Sequence, residues 1–175
     1  MEFIYDSMID KYCWDQIAAR TRIFNEEKKT DKFSVDCHVI RRFINVWEPC
    51  VYKEFRNGIW NIFNSDFPKE FKCYINSTPY SMEVPDGISI SAGTQTPIRT
   101  ICHEANHVMF LKSDFKKKYF PRHDMEDAKE IFTVLNNIYF QNIMEQQDIG
   151  WKKFWKERYR FLVLWLLGHP EVRSL

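Results

Sequence analysis

The hydrophobic pattern of this chain changes its period twice, and that change limits the fold more than any other feature. Apolar residues recur at helical spacing in the first third, with Phe3, Ile4, Met8, Ile9, Tyr12 and Cys13 predicting a helix over 3–20. Asp36 is placed to cap a second helix through Val39, Ile40, Phe43, Ile44 and Trp47. Pro49 should kink or end it, and a further part over 51–63 continues with Gly58 as its weak point. Lys28 to Lys32 forms a polar connection. The period then drops to two. Phe71 to Ser77, Tyr80 to Val84 and Ile88 to Ser91 alternate like short strands, with Thr78-Pro79 and Pro85-Asp86-Gly87 as turn signals.

Helical spacing returns after Ala92. Thr96 suits an N-cap and Pro97 a first helical position, opening a helix that runs to about Lys112. Asp124 caps the next helix, with Asp127 three residues on, and this one is expected to reach about Gln147. Gly150 separates it from a last helix over 151–167, closed by Gly168-His169-Pro170. Helices, a small sheet and helices again make an α+β fold, mostly helical. The sheet should be mainly antiparallel. At 175 residues the chain fits one domain, 1–175, with room for a core that needs no staples.

Composition narrows the class. Hydrophobic residues make up 45% and charged residues 28%, which excludes a disordered chain. A net charge of +1 gives no field to attract nucleic acid, and no such partner is expected. The longest apolar run, Phe161 to Leu167, falls far short of the roughly 20 residues that span a bilayer. Five cysteines without CxxC spacing argue against a disulfide framework, and the acidic N-terminus lacks a leader's apolar run. A cytoplasmic setting follows as the expectation. The oligomeric state leaves no trace in the pattern.

One motif carries chemistry. Residues 103–107 read His-Glu-Ala-Asn-His, an H-E-x-x-H pattern inside a predicted helix and directly after a strand and loop. Positions i and i+4 share a helix face, so His103 and His107 can reach one ion at roughly 2.0–2.1 Å. Glu104 lies about 100° round the helix and flanks that ion. It is the candidate catalytic base, placed to accept a proton from a water that the ion acidifies towards a pKa of about 7. Zinc is the expected ion, although two histidines and a carboxylate suit other divalent metals too. Ile98, Ile101, Ala105, Val108 and Met109 supply the apolar face that anchors the helix.

An open site needs a third ligand. The helix beginning at Met125 offers Glu126, Asp127 and Glu130 beside an apolar stripe of Ile131, Val134, Leu135 and Ile138. Glu130 is nearer the stripe and deeper in the helix, so it is favoured, with Glu126 next. One of the two can ligate while the other orients a histidine. Asp127 is engaged by capping, and His123 is a weaker candidate in the preceding loop.

At these residues the sequence resembles the zincin metallopeptidases, in particular the gluzincin branch, in which a glutamate from a later helix joins H-E-x-x-H. Ile101 to His107 and Glu126 to Phe132 are the matching stretches, and the resemblance covers roughly residues 70–145. Their separation, about 20 residues, is short for that branch and is closer to the compact single-domain HExxH proteins of bacteria and phages, including regulator-cleaving peptidases. The extended metzincin pattern is absent. The resemblance implies His103 and His107 as zinc ligands, Glu104 as general base, and Glu130 or Glu126 as third ligand. It also implies Ile88 to Ser91 as a substrate-aligning edge strand and an oxyanion stabiliser, for which His123, Tyr119, Arg122 and Tyr139 are candidates.

The expected function is a zinc-dependent peptidase that cleaves a protein or peptide by water attack. The alternative is a non-catalytic zincin-like interaction module. Lys116-Lys117-Lys118 is expected to be a solvated loop. The aromatic residues of the last helix, among Lys152, Lys153, Lys156, Arg158 and Arg160, fit packing on their own domain better than an interfacial membrane helix.

Overall fold

A computed structural model describes residues 1–24 and 32–168, so most of the polar connection at 28–32 and the expected closure at 169–170 lie outside the described residues. The fold is α+β. Strand β1 (Glu2–Ile4) is followed by helices α1 (Ser7–Phe24), α2 (Cys37–Val46) and α3 (Pro49–Phe63). Strands β2 (Lys72–Asn76), β3 (Met82–Val84) and β4 (Gly87–Ser91) come next. Helices α4 (Pro97–Leu111), α5 (Phe115–Tyr119), α6 (Met125–Phe132), α7 (Asn136–Tyr139) and α8 (Trp155–Gly168) complete it.

Asp36 caps α2 as expected, accepting from the N–H groups of His38 and Val39. Pro49 stands at the start of α3, where its missing N–H costs nothing. The first predicted helix begins later than its periodicity suggests. Asp6 takes the N–H groups of Met8 and Ile9 at 2.8 and 3.2 Å and sets the helix start, which frees residues 2–4 to join the sheet. Phe3 is then buried between Phe43 and Trp47, with ring centroids 6.1 and 6.2 Å away.

The sheet runs β1-β2-β4-β3. Its β1–β2 and β2–β4 pairs are parallel, and only the β3–β4 hairpin is antiparallel. The expectation of a mainly antiparallel sheet is thus corrected. It treated sequence neighbours as spatial neighbours, whereas residues 77–81 carry the chain past β4 before it returns. Polar side chains hold that crossing. The N–H of Thr78 donates to Asn76 Oδ1 at 2.8 Å, Ser91 Oγ donates to the Thr78 carbonyl at 2.6 Å, and Ser77 is tied to buried Asp10 on α1. Gly87 is required at the start of β4, because a Cβ there would meet the Lys72 carbonyl oxygen at 2.1 Å.

Side-chain alternation separates two faces. Cys73, Ile75, Ile88 and Ile90 point into the main core with Phe43, Phe55, Ile101 and Phe132. Tyr74, Met82 and Val84 face Cys13 and Ile17 of α1 in a smaller cluster. The helix expected to reach Gln147 ends at Tyr139. Arg158 Nη1 takes the Glu130 carbonyl at 2.7 Å, and past that point the path tightens into a 3-10 turn, Thr133–Leu135. The last helix packs through Phe161 and Trp165, as expected, but leaves Trp155, Tyr159, Leu164 and Leu167 exposed. No helix among the described residues is long and apolar enough to cross a membrane.

Gly58 permits close packing here rather than marking a weak point of α3. A Cβ at this position would sit 2.2 Å from Phe140 Cε1 and 2.9 Å from the Tyr139 carbonyl. Phe140 is also stacked on Phe55. The Gly58→Ala change gains helix propensity, about 0.5–1 kcal/mol, but overpacks a fully buried contact at about 1–3 kcal/mol. The expected outcome is a lower urea midpoint with an unchanged slope; a stabilised variant would show that the contact yields freely.

Candidate metal centre

Helix α4 lies against β4 through Ile98, Ile101, Cys102 and Ala105, all buried. Its N-terminus is capped from a distance. Thr96 makes no side-chain cap, and instead the Glu145 carboxylate accepts from the N–H groups of Ile98 and Arg99 at 2.8 and 2.9 Å. This arrangement sets the helix with His103 and His107 on one side, their ring centroids 4.4 Å apart.

Both Nε2 atoms face the carboxylate of Glu130 on α6. His103 Nε2 lies 3.6 Å from Glu130 Oε2, and His107 Nε2 lies 3.7 Å from Glu130 Oε1. A tetrahedral ion bound at zinc distances holds its donor atoms about 3.4 Å apart, and each histidine stands near that spacing from one oxygen of the Glu130 carboxylate. His107 Nε2 and Glu130 Oε2 are buried and take no hydrogen-bond partner among the described residues. A divalent cation would satisfy both atoms, so these residues fit a metal.

The opposite ring nitrogens are held by carboxylates. His103 Nδ1 lies 2.7 Å from Asp148 Oδ2, and His107 Nδ1 lies 3.3 Å from Glu83 Oε1. Each contact fixes a tautomer that leaves Nε2 free to ligate. Asp148 is fully buried and is further bonded by Asn136 Nδ2 at 3.0 Å. Asn136 in turn accepts from Asn106 on α4 at 2.8 Å. Arg158 donates to the Asp148 backbone carbonyl, and Gly150 adopts φ +57, where a Cβ would strike that guanidinium. On the other flank, Lys129 Nζ holds Glu83 through both carboxylate oxygens, at 2.7 and 3.0 Å.

Glu104 is buried, with Oε2 3.6 Å from His107 Nδ1. The donor atoms of His103, Glu104 and His107 all lie within 4.8 Å of one another. A cleft of about 440 Å³ opens over them, lined among others by Tyr80, Arg99, His103, Glu104, Glu130 and Trp151.

Charge follows this geometry. Burial pushes the His103 ring towards the neutral form, but Asp148 and Glu130 outweigh it and raise its pKa well above the usual value. Burial and the neighbouring His103 act the same way on His107, and Glu104 with Glu83 tip it upward. Burial raises the carboxyls. His107 and Lys129 nevertheless hold Glu83 down at about 2, while His103 and Arg158 hold Asp148 far below the usual carboxylate range. Glu130 is lowered too, by the two histidines against its own burial. A divalent cation at the two Nε2 atoms would compete with protons for them.

Of the two candidate third ligands, the structure brings only Glu130 to the histidines. Glu126 starts α6 one turn earlier, about 6 Å along the axis. Its side chain is 66% exposed and pairs with Lys129 Nζ at 2.9 Å, so it is corrected from candidate ligand to surface ion pair. Asp124 caps α6 as expected, accepting from the N–H of Asp127 at 2.7 Å, whereas the Asp127 carboxylate faces Lys153 Nζ at 3.6 Å. His123 lies against Phe120, and Tyr119 and Tyr139 pack on Trp165. Strand β4 is interior, so the expected edge strand is replaced by β3. Sequence reasoning missed Asp148 and Glu83. Glu83 carried a faint signal, a carboxylate inside the alternating Met82–Val84 segment, and Asp148 carried none.

Comparison of the chain with protein-family models, curated proteins and solved structures returned no match. What the site can do is therefore read from its own residues.

Zinc titration against a competing chelator tests the ligand set. Glu130→Gln is expected to weaken binding strongly, Asp148→Asn by about 10–100-fold, and Glu126→Gln not at all. Equal losses in Glu126→Gln and Glu130→Gln would refute the assignment. Because the raised histidines compete with protons, affinity should fall as pH is lowered, beginning above the ordinary histidine value of about 6.5. A pH-independent affinity would contradict proton competition at the two histidines.

Proposed function

We propose that this chain is a zinc-dependent metallopeptidase of zincin type that hydrolyses a protein or peptide bond. One observation carries the reading: two imidazole Nε2 atoms and the Glu130 carboxylate converge at 3.6 and 3.7 Å while both Nδ1 atoms are held by carboxylates. That is the donor set of an open catalytic site, with three protein ligands and one position left for chemistry. His103, His107 and Glu130 hold the ion, which when bound supplies Lewis-acid charge to a substrate carbonyl.

The chain's own groups do the rest. Glu104, facing the cleft next to His103, accepts the proton of the attacking water and returns it to the departing amide nitrogen. Asp148 and Glu83 keep the two rings oriented. Strand β3 ends the sheet among the described residues, and in this reading an extended substrate would align along that edge, next to Glu83. A cytoplasmic setting belongs to the same proposal and is supported by five free cysteines.

The Glu104→Gln variant separates chemistry from binding. With casein and a quenched-fluorescence peptide library as probes, it should keep its zinc and lose hydrolysis by about 10²–10⁴-fold. Full hydrolysis by the variant would remove Glu104 from the mechanism. Protein purified without chelator that carries less than about a tenth of an equivalent of metal would remove the ion. A wild type that holds zinc and cleaves none of the probes would favour the non-catalytic interaction module.

A further inference from the structure

The cleft over the metal centre has a second pole. Arg99 stands one helical turn before His103, so Arg99, His103 and His107 succeed one another at four-residue steps along one face of α4. Arg99 lines the cleft, and its only side-chain bond among the described residues is from Nε to Thr96 Oγ1 at 3.1 Å. No carboxylate among the described residues pairs with it, although Arg56, Lys72, Lys129 and Arg158 all face carboxylates. The carboxylate that does reach residue 99, Glu145, is held by the backbone N–H groups of Ile98 and Arg99. Arg20 of α1 lines the same cleft and also lacks a carboxylate partner among the described residues.

The carboxylates that line the cleft are Glu104, Glu130 and Asp148, and all three are engaged at the metal centre. Charge in the cleft is therefore segregated, with three carboxylates engaged at the metal centre and two guanidinium groups that no carboxylate among the described residues pairs. A guanidinium is permanently charged and presents a planar fork that matches a carboxylate through two parallel hydrogen bonds.

Resting on the metallopeptidase reading, we infer that the cleft selects a peptide carrying a carboxylate close to the cleaved bond, and that Arg99, supported by Arg20, determines this specificity. One turn of helix separates Arg99 from His103 by about 6 Å along the axis. An extended peptide advances about 3.3 Å per residue, so the carboxylate belongs to a residue one or two places from the scissile bond. Two sources share this chemistry, an aspartate or glutamate side chain and the free terminus of the substrate.

Binding of hydroxamate-capped dipeptides to the zinc-loaded protein, followed by calorimetry, tests the inference without turnover. The hydroxamate engages the ion, and the second residue is Glu or Gln, each with a free or an amidated C-terminus. The wild type is expected to bind a carboxylate-bearing probe about 10-fold or more tightly than its neutral counterpart. Preference for Glu over Gln in the amidated pair identifies a side-chain carboxylate. Preference for the free over the amidated Gln probe identifies a chain terminus. Arg99→Gln should erase the preference while keeping zinc and hydroxamate binding, and Arg99→Lys should restore part of it. If all four probes bind the wild type alike, the carboxylate specificity is overturned and the metal site stands. If Arg99→Gln keeps the preference, Arg99 is not its source. Failure of every hydroxamate to bind zinc-loaded protein would overturn the metallopeptidase reading, and the inference with it.

Discussion

A carboxylate with no solvent exposure organises the functional half of this molecule. Asp148 keeps its charge while fully buried, and an isolated charge in that position would cost several kcal/mol. Every neighbour is arranged against that cost. His103 and Asn136 share its Oδ2, Gly150 N–H donates to its Oδ1 at 3.2 Å, and Arg158 stands 3.6 Å from the same oxygen. These partners come from α4, α7, the loop ahead of the 3-10 turn Lys152–Phe154, and α8. One buried charge thus joins four separate parts of the chain, and the orientation of His103 is one result.

The same logic repeats more weakly at His107. Glu83 lies on the edge strand, partly exposed, and is balanced by a buried lysine, Lys129. Lys129 sits next to Glu130 in sequence, so α6 contributes both the acceptor that faces the two Nε2 atoms and the cation that steadies the opposite flank. A rotation of α6 by one residue would place Lys129 against the histidines and drive Glu130 into the buried position of Ile131. The packing of Ala128, Ile131 and Phe132 prevents it, because all three are fully buried in the aromatic core with Phe110 and Phe161. Core packing and site chemistry are therefore one constraint on this helix.

Much of the candidate site was legible in the sequence because its main parts are local. The His103 and His107 pair needs only a helical period. The preference for Glu130 over Glu126 needed only the angle between each residue and the apolar stripe. What escaped was set by contacts between distant segments. Asp148 meets His103 across 45 residues and lies in irregular chain, where no period marks a side chain as buried. The cap on α4 escaped for the same reason, since Thr96 is well placed by sequence but Glu145 arrives across 47 residues.

By itself, the sequence determined the alternation of helix and strand, the caps by Asp36 and Asp124, and the helix that presents H-E-x-x-H. These follow from side-chain periodicity and short-range hydrogen bonds, which act within a turn or two of chain. Tertiary structure decided the parallel pairing of β1, β2 and β4 and the 3-10 break after α6. It also decided which carboxylates surround the histidines. Strand order and buried ion pairs depend on which surfaces meet, and a helix or strand period carries no information about its partner.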